Sequence, residues 1–134
     1  MIIDSHCHLT YEPMSNALNE TIDRANKDGI KYMLTISTED KSFEQILKIV
    51  NGYESVYGTY GIHPHEAKSH QHIKSDDIIN KVNQNKKIIG IGETGLDFYY
   101  NHSEKRDQIY SFEEHITAAQ EKNLPLIVHT RSAE

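Results

Sequence analysis

The sequence predicts an α/β protein in which parallel strands alternate with helices. Three observations predict it: five short clusters rich in Ile, Val and Tyr, four amphipathic stripes between them, and regular alternation of the two along the chain. The clusters fall at residues 1–5, 31–37, 56–62, 87–92 and 125–129, each of strand length. Leu18, Ile22 and Ala25 form the first helical stripe, and Phe43, Ile46, Leu47 and Val50 the second. Residues 75–85, with Ile78, Ile79 and Val82, form a weaker third, and Ile109, Phe112, Ile116 and Ala119 form the fourth.

Punctuation agrees with these elements. Ser15, Asp40, Ser75 and Ser103 stand where N-caps are wanted, and Gly29 and Gly52 where a helix would end in a left-handed residue. The order β-α-β-α-β-α-β-α-β implies right-handed crossovers between parallel strands. Two architectures fit: a doubly wound sheet, or a (β/α) TIM-type barrel truncated after about five strands and four helices. Pattern alone leaves both open, but in either one the functional groups sit at the carboxyl ends of the strands.

At 134 residues, 37% hydrophobic and 25% charged, the chain is expected to form a single globular domain over residues 1–134. No apolar run approaches the roughly 18 residues of a membrane span, and the amino terminus has no signal-peptide pattern, so a cytoplasmic protein with no membrane partner is expected. One cysteine, Cys7, excludes an internal disulfide. A net charge of −6 excludes a broad basic face that tracks nucleic acid, so any phosphate site must be local. The unusual feature is nine histidines, because neutral imidazole is the commonest metal ligand.

Several of those histidines end strands. Asp4-Ser5-His6-Cys7-His8 places His6 and His8 on one face, able to converge on an ion, with Asp4 sharing the face. Cys7 points the other way and reads as a small packed residue. In Gly61-Ile62-His63-Pro64-His65-Glu66, His63 either lines the same site or caps loop backbone, and His65 reads as loop structure. Glu93 follows Ile89 and Ile91 in alternation and places a carboxylate at the mouth of its strand, where two oxygens can bridge two ions. Asp97 reads as a residue holding the next loop, and Phe98, Tyr99 and Tyr100 either stack on a base or pack the loop. His129 ends the last apolar strand, and Arg131, on the same face, suits a phosphate. His70, His72, His102 and His115 read as solvated.

Asp4-Ser5-His6-Cys7-His8, Gly61-Ile62-His63-Pro64-His65, Ile91-Gly92-Glu93-Thr94-Gly95-Leu96-Asp97 and Leu124-Pro125-Leu126-Ile127-Val128-His129-Thr130-Arg131 resemble, in order and spacing, the TatD-like metal-dependent deoxyribonucleases. The resemblance extends over residues 1–134. It implies the TIM-type barrel, metal roles for His6, His8, Glu93 and His129, and substrate-side roles for His63 and Arg131. It further implies two divalent ions, for which Mg, Mn and Zn all suit a His/Glu site, and hydrolysis of DNA phosphodiester bonds, often as a 3′-to-5′ exonuclease, while the acidic net charge favours ends or single strands over long duplex. Members of the family run to about a full barrel of 250 residues. Their further histidine ligand and the aspartate that serves as general base lie beyond Glu134, so the chain resembles an amino-terminal half, expected to be inactive or impaired alone and to self-associate through exposed strand edges. Two other readings remain: a non-catalytic metal-binding fragment, and an amide or ester hydrolase of the amidohydrolase type. The latter more often bridges its ions with a lysine than with a glutamate.

Overall fold

The computed structural model of residues 1–134 contains five strands and four α-helices in the expected alternation. They are β1 (Ile2–Cys7), α1 (Leu18–Lys27), β2 (Ile30–Thr35), α2 (Phe43–Gly52), β3 (Val56–Tyr60), α3 (Ser75–Val82), β4 (Ile88–Asp97), α4 (Lys105–Lys122) and β5 (Leu126–Arg131). The strands lie in the order β1-β2-β3-β4-β5 and every neighbouring pair is parallel. A doubly wound sheet reverses its strand order at a switch point, and this one never does. The five strands form a curled half-barrel with its helices on one side.

On that side Ile22 of α1, Phe43, Ile46, Ile49 and Val50 of α2, Ile78 and Val82 of α3 and Ala118 and Ala119 of α4 close over Met33, Val56, Tyr60, Ile88 and Ile91 of the strands. Cys7 packs against this core as expected, and burial pushes its thiol up to about 12, so it stays protonated. The opposite, concave face is open: Ile3, Tyr32 and Ile89 are 56%, 43% and 40% exposed. The simple alternation expected for β4 fails here. A register shift against β3, from Gly58↔Ile88 to Thr59↔Gly90, inserts a bulge that turns Ile91 into the helix-side core, fully buried, while Ile89 stays on the concave face.

Helix ends also depart from expectation. Asp40 opens a short 3₁₀ turn ahead of α2, Ser75 is the first residue of α3 rather than its cap, and Ser103 and Ser15 lie outside the cap positions. Gly29 is left-handed after α1, but Gly52 belongs to α2, and α4 ends in left-handed Asn123.

The largest departure concerns α4. Its buried face is Gln108, Ser111, His115, Ala118 and Ala119, whereas Ile109 of the apolar stripe is 43% exposed. The reason is hydrogen bonding. Gln108 accepts from the N–H of Asp97 (2.7 Å) and donates to the carbonyls of Asp97 (3.0 Å) and Ser103 (2.8 Å), so it clasps the loop after β4. His115 accepts from the N–H of Ile62 (3.0 Å) and donates from Nδ1 to the Ser111 carbonyl (2.6 Å), so it clasps the loop after β3. His115 is therefore wholly buried, not solvated.

Burial lowers the His115 pKa to about 4, against about 6.5 in an unfolded chain. The unfolded state then takes up a proton that the folded state refuses, so stability falls as pH drops below about 6.5 and levels off near 4. The expected loss is on the order of 3 kcal/mol. Urea unfolding at pH 7 and pH 4.5 tests this: the stability gap between the native chain and His115→Gln narrows at the lower pH. A gap independent of pH contradicts it.

Candidate metal centre at the carboxyl ends of the strands

Glu93 lies at the middle of the site because of how β4 is built. Gly92 has φ +133° and Gly95 φ +139°. A Cβ at Gly92 would meet the Ile127 carbonyl oxygen at 2.5 Å, and one at Gly95 would collide with the carbonyl of His129, so only glycine lets β4 press so closely onto β5. Between them Glu93 is tied by its N–H to the Ser37 carbonyl (2.8 Å), and Thr59 Oγ1 donates to the Gly92 carbonyl (2.5 Å) while accepting from the Ser37 N–H (3.1 Å). The result is a carboxylate only 8% exposed at the floor of the site.

Four imidazoles surround it. Oε2 faces His6 Nε2 at 3.4 Å and His8 Nε2 at 4.0 Å, whereas Oε1 faces His129 Nδ1 at 3.3 Å and His63 Nε2 at 4.0 Å. These separations exceed the 2.7–3.2 Å of direct hydrogen bonds. Those to His6 and His129 match the spacing between neighbouring ligands of one ion, roughly 3.0–3.4 Å when each bond is about 2.1 Å, whereas those to His8 and His63 are wider. Two groups have ligand atoms mutually within 4.8 Å: His6, His8 and Glu93, and His63, His65 and His129. The donor set of imidazole and carboxylate fits a divalent cation, and the two carboxylate oxygens address opposite sides.

Hydrogen bonds assign the ring protons. His129 donates from Nε2 to Asp97 Oδ2 (3.0 Å), which leaves the Nδ1 lone pair toward Glu93. His63 Nδ1 accepts from the His65 N–H (3.2 Å), so in the neutral ring the proton sits on Nε2. His63 is thus a donor toward Glu93 and the cavity, and burial with the neighbouring His129 and His65 lowers its pKa to about 3. His8 is stacked on Tyr11 (4.8 Å, 12°), and its pKa is lowered by burial, although Glu93 opposes the shift. Its buried Nδ1 makes no well-formed hydrogen bond, the Ile36 carbonyl being the polar group nearby.

Asp97 was expected to hold the loop, and it does: Oδ1 accepts from the N–H of Tyr99 (3.2 Å) and Tyr100 (3.1 Å). It also accepts from His65 at Oδ2 (2.8 Å), which brings His65 into the site rather than leaving it as loop structure. Burial opposes ionisation of Asp97, but the Tyr100 N–H and the two histidines outweigh it and hold the carboxyl well below the usual carboxylate range. Asp4 accepts from the N–H of His6 (3.1 Å) and fixes the end of β1. Arg131 is not among the residues that line the cavity over Glu93; its guanidinium lies 4.4 and 4.6 Å from the ring centroids of Tyr99 and Tyr100.

The cavity over Glu93 has a volume of about 390 Å³. Its walls add four residues that sequence reasoning missed, Tyr11, Thr38, Glu39 and Glu66, which come from loops after β1, β2 and β3 and carry no strand-end signal. Three glutamates and no Lys or Arg line it. An anionic ligand is repelled from such a cavity unless cations are present.

A sequence model of the family described as TatD related DNase matches residues 3–134. An uncharacterized metal-dependent hydrolase of Buchnera aphidicola (subspecies Baizongia pistaciae) is 35% identical over 98% of this chain and 50% of its own length. The 3′-5′ ssDNA/RNA exonuclease TatD of Salmonella typhimurium is 31% identical over 98% of this chain and 50% of its own. The crystal structure of the TatD homologue YjjV from Escherichia coli K12 superposes with a TM-score of 0.90 at 26% identity, covering 98% of this chain and 51% of that one. The chain spans about half the length of the relatives it matches.

Proposed function

Because this chain belongs to the TatD related DNase family of metal-dependent hydrolases, we propose that its strand ends form the amino-terminal part of a two-metal centre that hydrolyses phosphodiester bonds of DNA, at ends or in single strands. The observation that carries the reading is Glu93, whose two oxygens face two different imidazole pairs. His6 and His8 with Glu93 would hold one divalent ion, and His129 with Glu93 would supply part of the shell of a second. Mg, Mn and Zn all suit such a site. Bound ions supply the positive charge and Lewis acidity that phosphodiester hydrolysis needs, offsetting the three glutamates of the cavity.

The remaining roles belong to the chain itself. His63 donates from Nε2 to a phosphate oxygen, and burial keeps its ring neutral. Asp97 fixes the tautomer and orientation of His129. Arg131, outside the cavity beside Tyr99 and Tyr100, supplies positive charge to the flanking backbone.

The test is titration of the chain with Mn²⁺ by calorimetry, beside release of nucleotides from a 3′-labelled single-stranded oligonucleotide with and without metal. The same assay is run on a relative of full length. Saturable binding of Mn²⁺ with metal-dependent release by the longer relative supports the reading. Absence of metal binding to this chain overturns the site, and a longer relative that binds metal but leaves DNA intact overturns the substrate.

No helix is long and apolar enough to cross a membrane. We further propose that β1 and β5, the two edges of the sheet, together with the exposed Ile3 and Ile89, drive self-association of the isolated chain. Ile91 and Ile127 contribute less than their sequence positions suggest, since one is buried and the other half-buried. Sedimentation from 5 to about 200 μM is expected to show concentration-dependent association that Ile3→Glu reduces. A single monomeric species throughout contradicts it.

A further inference from the structure

The carboxylate of Asp97 is shared between two structures. Oδ2 accepts from His65 and His129 in the wall of the metal centre, and Oδ1 accepts from the backbone of Tyr99 and Tyr100 in the turn after β4. One buried group therefore fixes the turn relative to the centre. On that turn the two tyrosine rings stand perpendicular (88°) with centroids 4.8 Å apart, and the Arg131 guanidinium lies close to both. His102 is stacked on the Tyr100 ring at 5.6 Å and 17°.

Despite this ordering the rings are not buried: Tyr99 is 60% and Tyr100 49% exposed. Their backbone N–H groups are held by Asp97, and the rings present aromatic surface to water. They also adjoin the cavity, since Tyr100 is 5.7 Å from His65, whose ring is 4.4 Å from that of His63.

We propose that Tyr99, Tyr100 and Arg131 form a stacking subsite for an unpaired nucleobase of a single strand, next to the phosphodiester held over Glu93. The proposal rests on the nuclease reading for its ligand and adds where that ligand's base goes. Every base has a π-face, so an aromatic platform binds single strands without sequence preference. Arg131 adds a cation at the ring faces and charge for the adjoining phosphate. The chain carries a net charge of −6 and cannot hold a long backbone by a basic surface, so rigid stacking supplies affinity that its charge does not. A base paired in duplex must first leave its stack to reach the platform, which favours frayed ends and single strands.

The experiment is NMR titration of the chain, in EDTA so that no hydrolysis occurs, with the dinucleotide d(ApA) and with the same backbone lacking both bases. Saturable upfield ring-current shifts of the Tyr99 and Tyr100 ring protons are expected with d(ApA) and none with the baseless analogue. Binding of a 2-aminopurine dinucleotide, read by its fluorescence, is expected to weaken about 10-fold in Tyr99→Leu/Tyr100→Leu and to change less than 2-fold in Tyr99→Phe/Tyr100→Phe. Ring signals that do not move up to millimolar d(ApA), equal shifts with the baseless analogue, or undiminished binding by the Leu variant overturn the subsite. Ring shifts that persist while the longer relative fails to cleave DNA would instead remove the nuclease reading and leave the subsite standing.

Discussion

Glu93→Gln is expected to strip both divalent ions together and to lower phosphodiester hydrolysis by ~10³-fold or more in a longer chain carrying the same substitution. The amide keeps the shape of the side chain but replaces one oxygen with an NH₂ that cannot bind metal and removes the negative charge both sides share. Single histidine variants behave asymmetrically. His6→Ala removes a ligand from the Oε2 side and His129→Ala one from the Oε1 side, so each is expected to cost chiefly one ion. Metal stoichiometry after dialysis, measured beside turnover, separates the cases. A Glu93→Gln chain that keeps its metal makes Glu93 a structural carboxylate and ends the two-metal reading.

Asp97→Asn is expected to destabilise the fold by about 3 kcal/mol at pH 7, because a wholly buried carboxylate accepting from two backbone N–H groups and two imidazoles is replaced by a group that faces one pair of donors with another donor. The native carboxyl titrates below its ordinary value, so its stabilisation is complete above about pH 4 and is lost as pH falls toward the depressed native value. The difference in stability between native chain and variant should therefore be constant between pH 7 and 5 and shrink below about pH 4. Urea unfolding across that range checks it. The variant should also weaken metal on the His129 side, since the Nδ1 lone pair depends on Nε2–H being held by Asp97.

Much of the site was legible from strand-end positions. Alternation along β1 brought His6 and His8 to one carboxylate oxygen, and the glycine-flanked Glu93 marked the position where β4 presses on β5. His65, Tyr11, Thr38, Glu39 and Glu66 were not legible in the same way, because loop residues carry no periodicity that tells where their side chains point. The expected face of α4 is buried only in part, with Ala119 buried, Phe112 and Ile116 half-buried and Ile109 exposed, for a physical reason. Apolar periodicity finds the face that leaves water for hydrophobic gain, but here the inward face satisfies backbone groups of two site loops through Gln108 and His115. Alternation was likewise misleading at Ile91, where a single bulge moved a side chain to the other face of the sheet.

The sequence by itself determined the α/β class, the number and order of the elements, and the identity of the residues that end the strands, because helical and strand periodicities are local properties of the chain. The tertiary structure decided that the sheet runs β1 to β5 in order and curls into a half-barrel, and that Glu93 turns one oxygen to each imidazole pair. It also decided that Asp97 locks the tyrosine turn to His129. These depend on which strands pair and how closely their backbones approach, and contacts between residues as far apart in sequence as Met33 and Val56, or His6 and Glu93, leave no periodic trace along the chain.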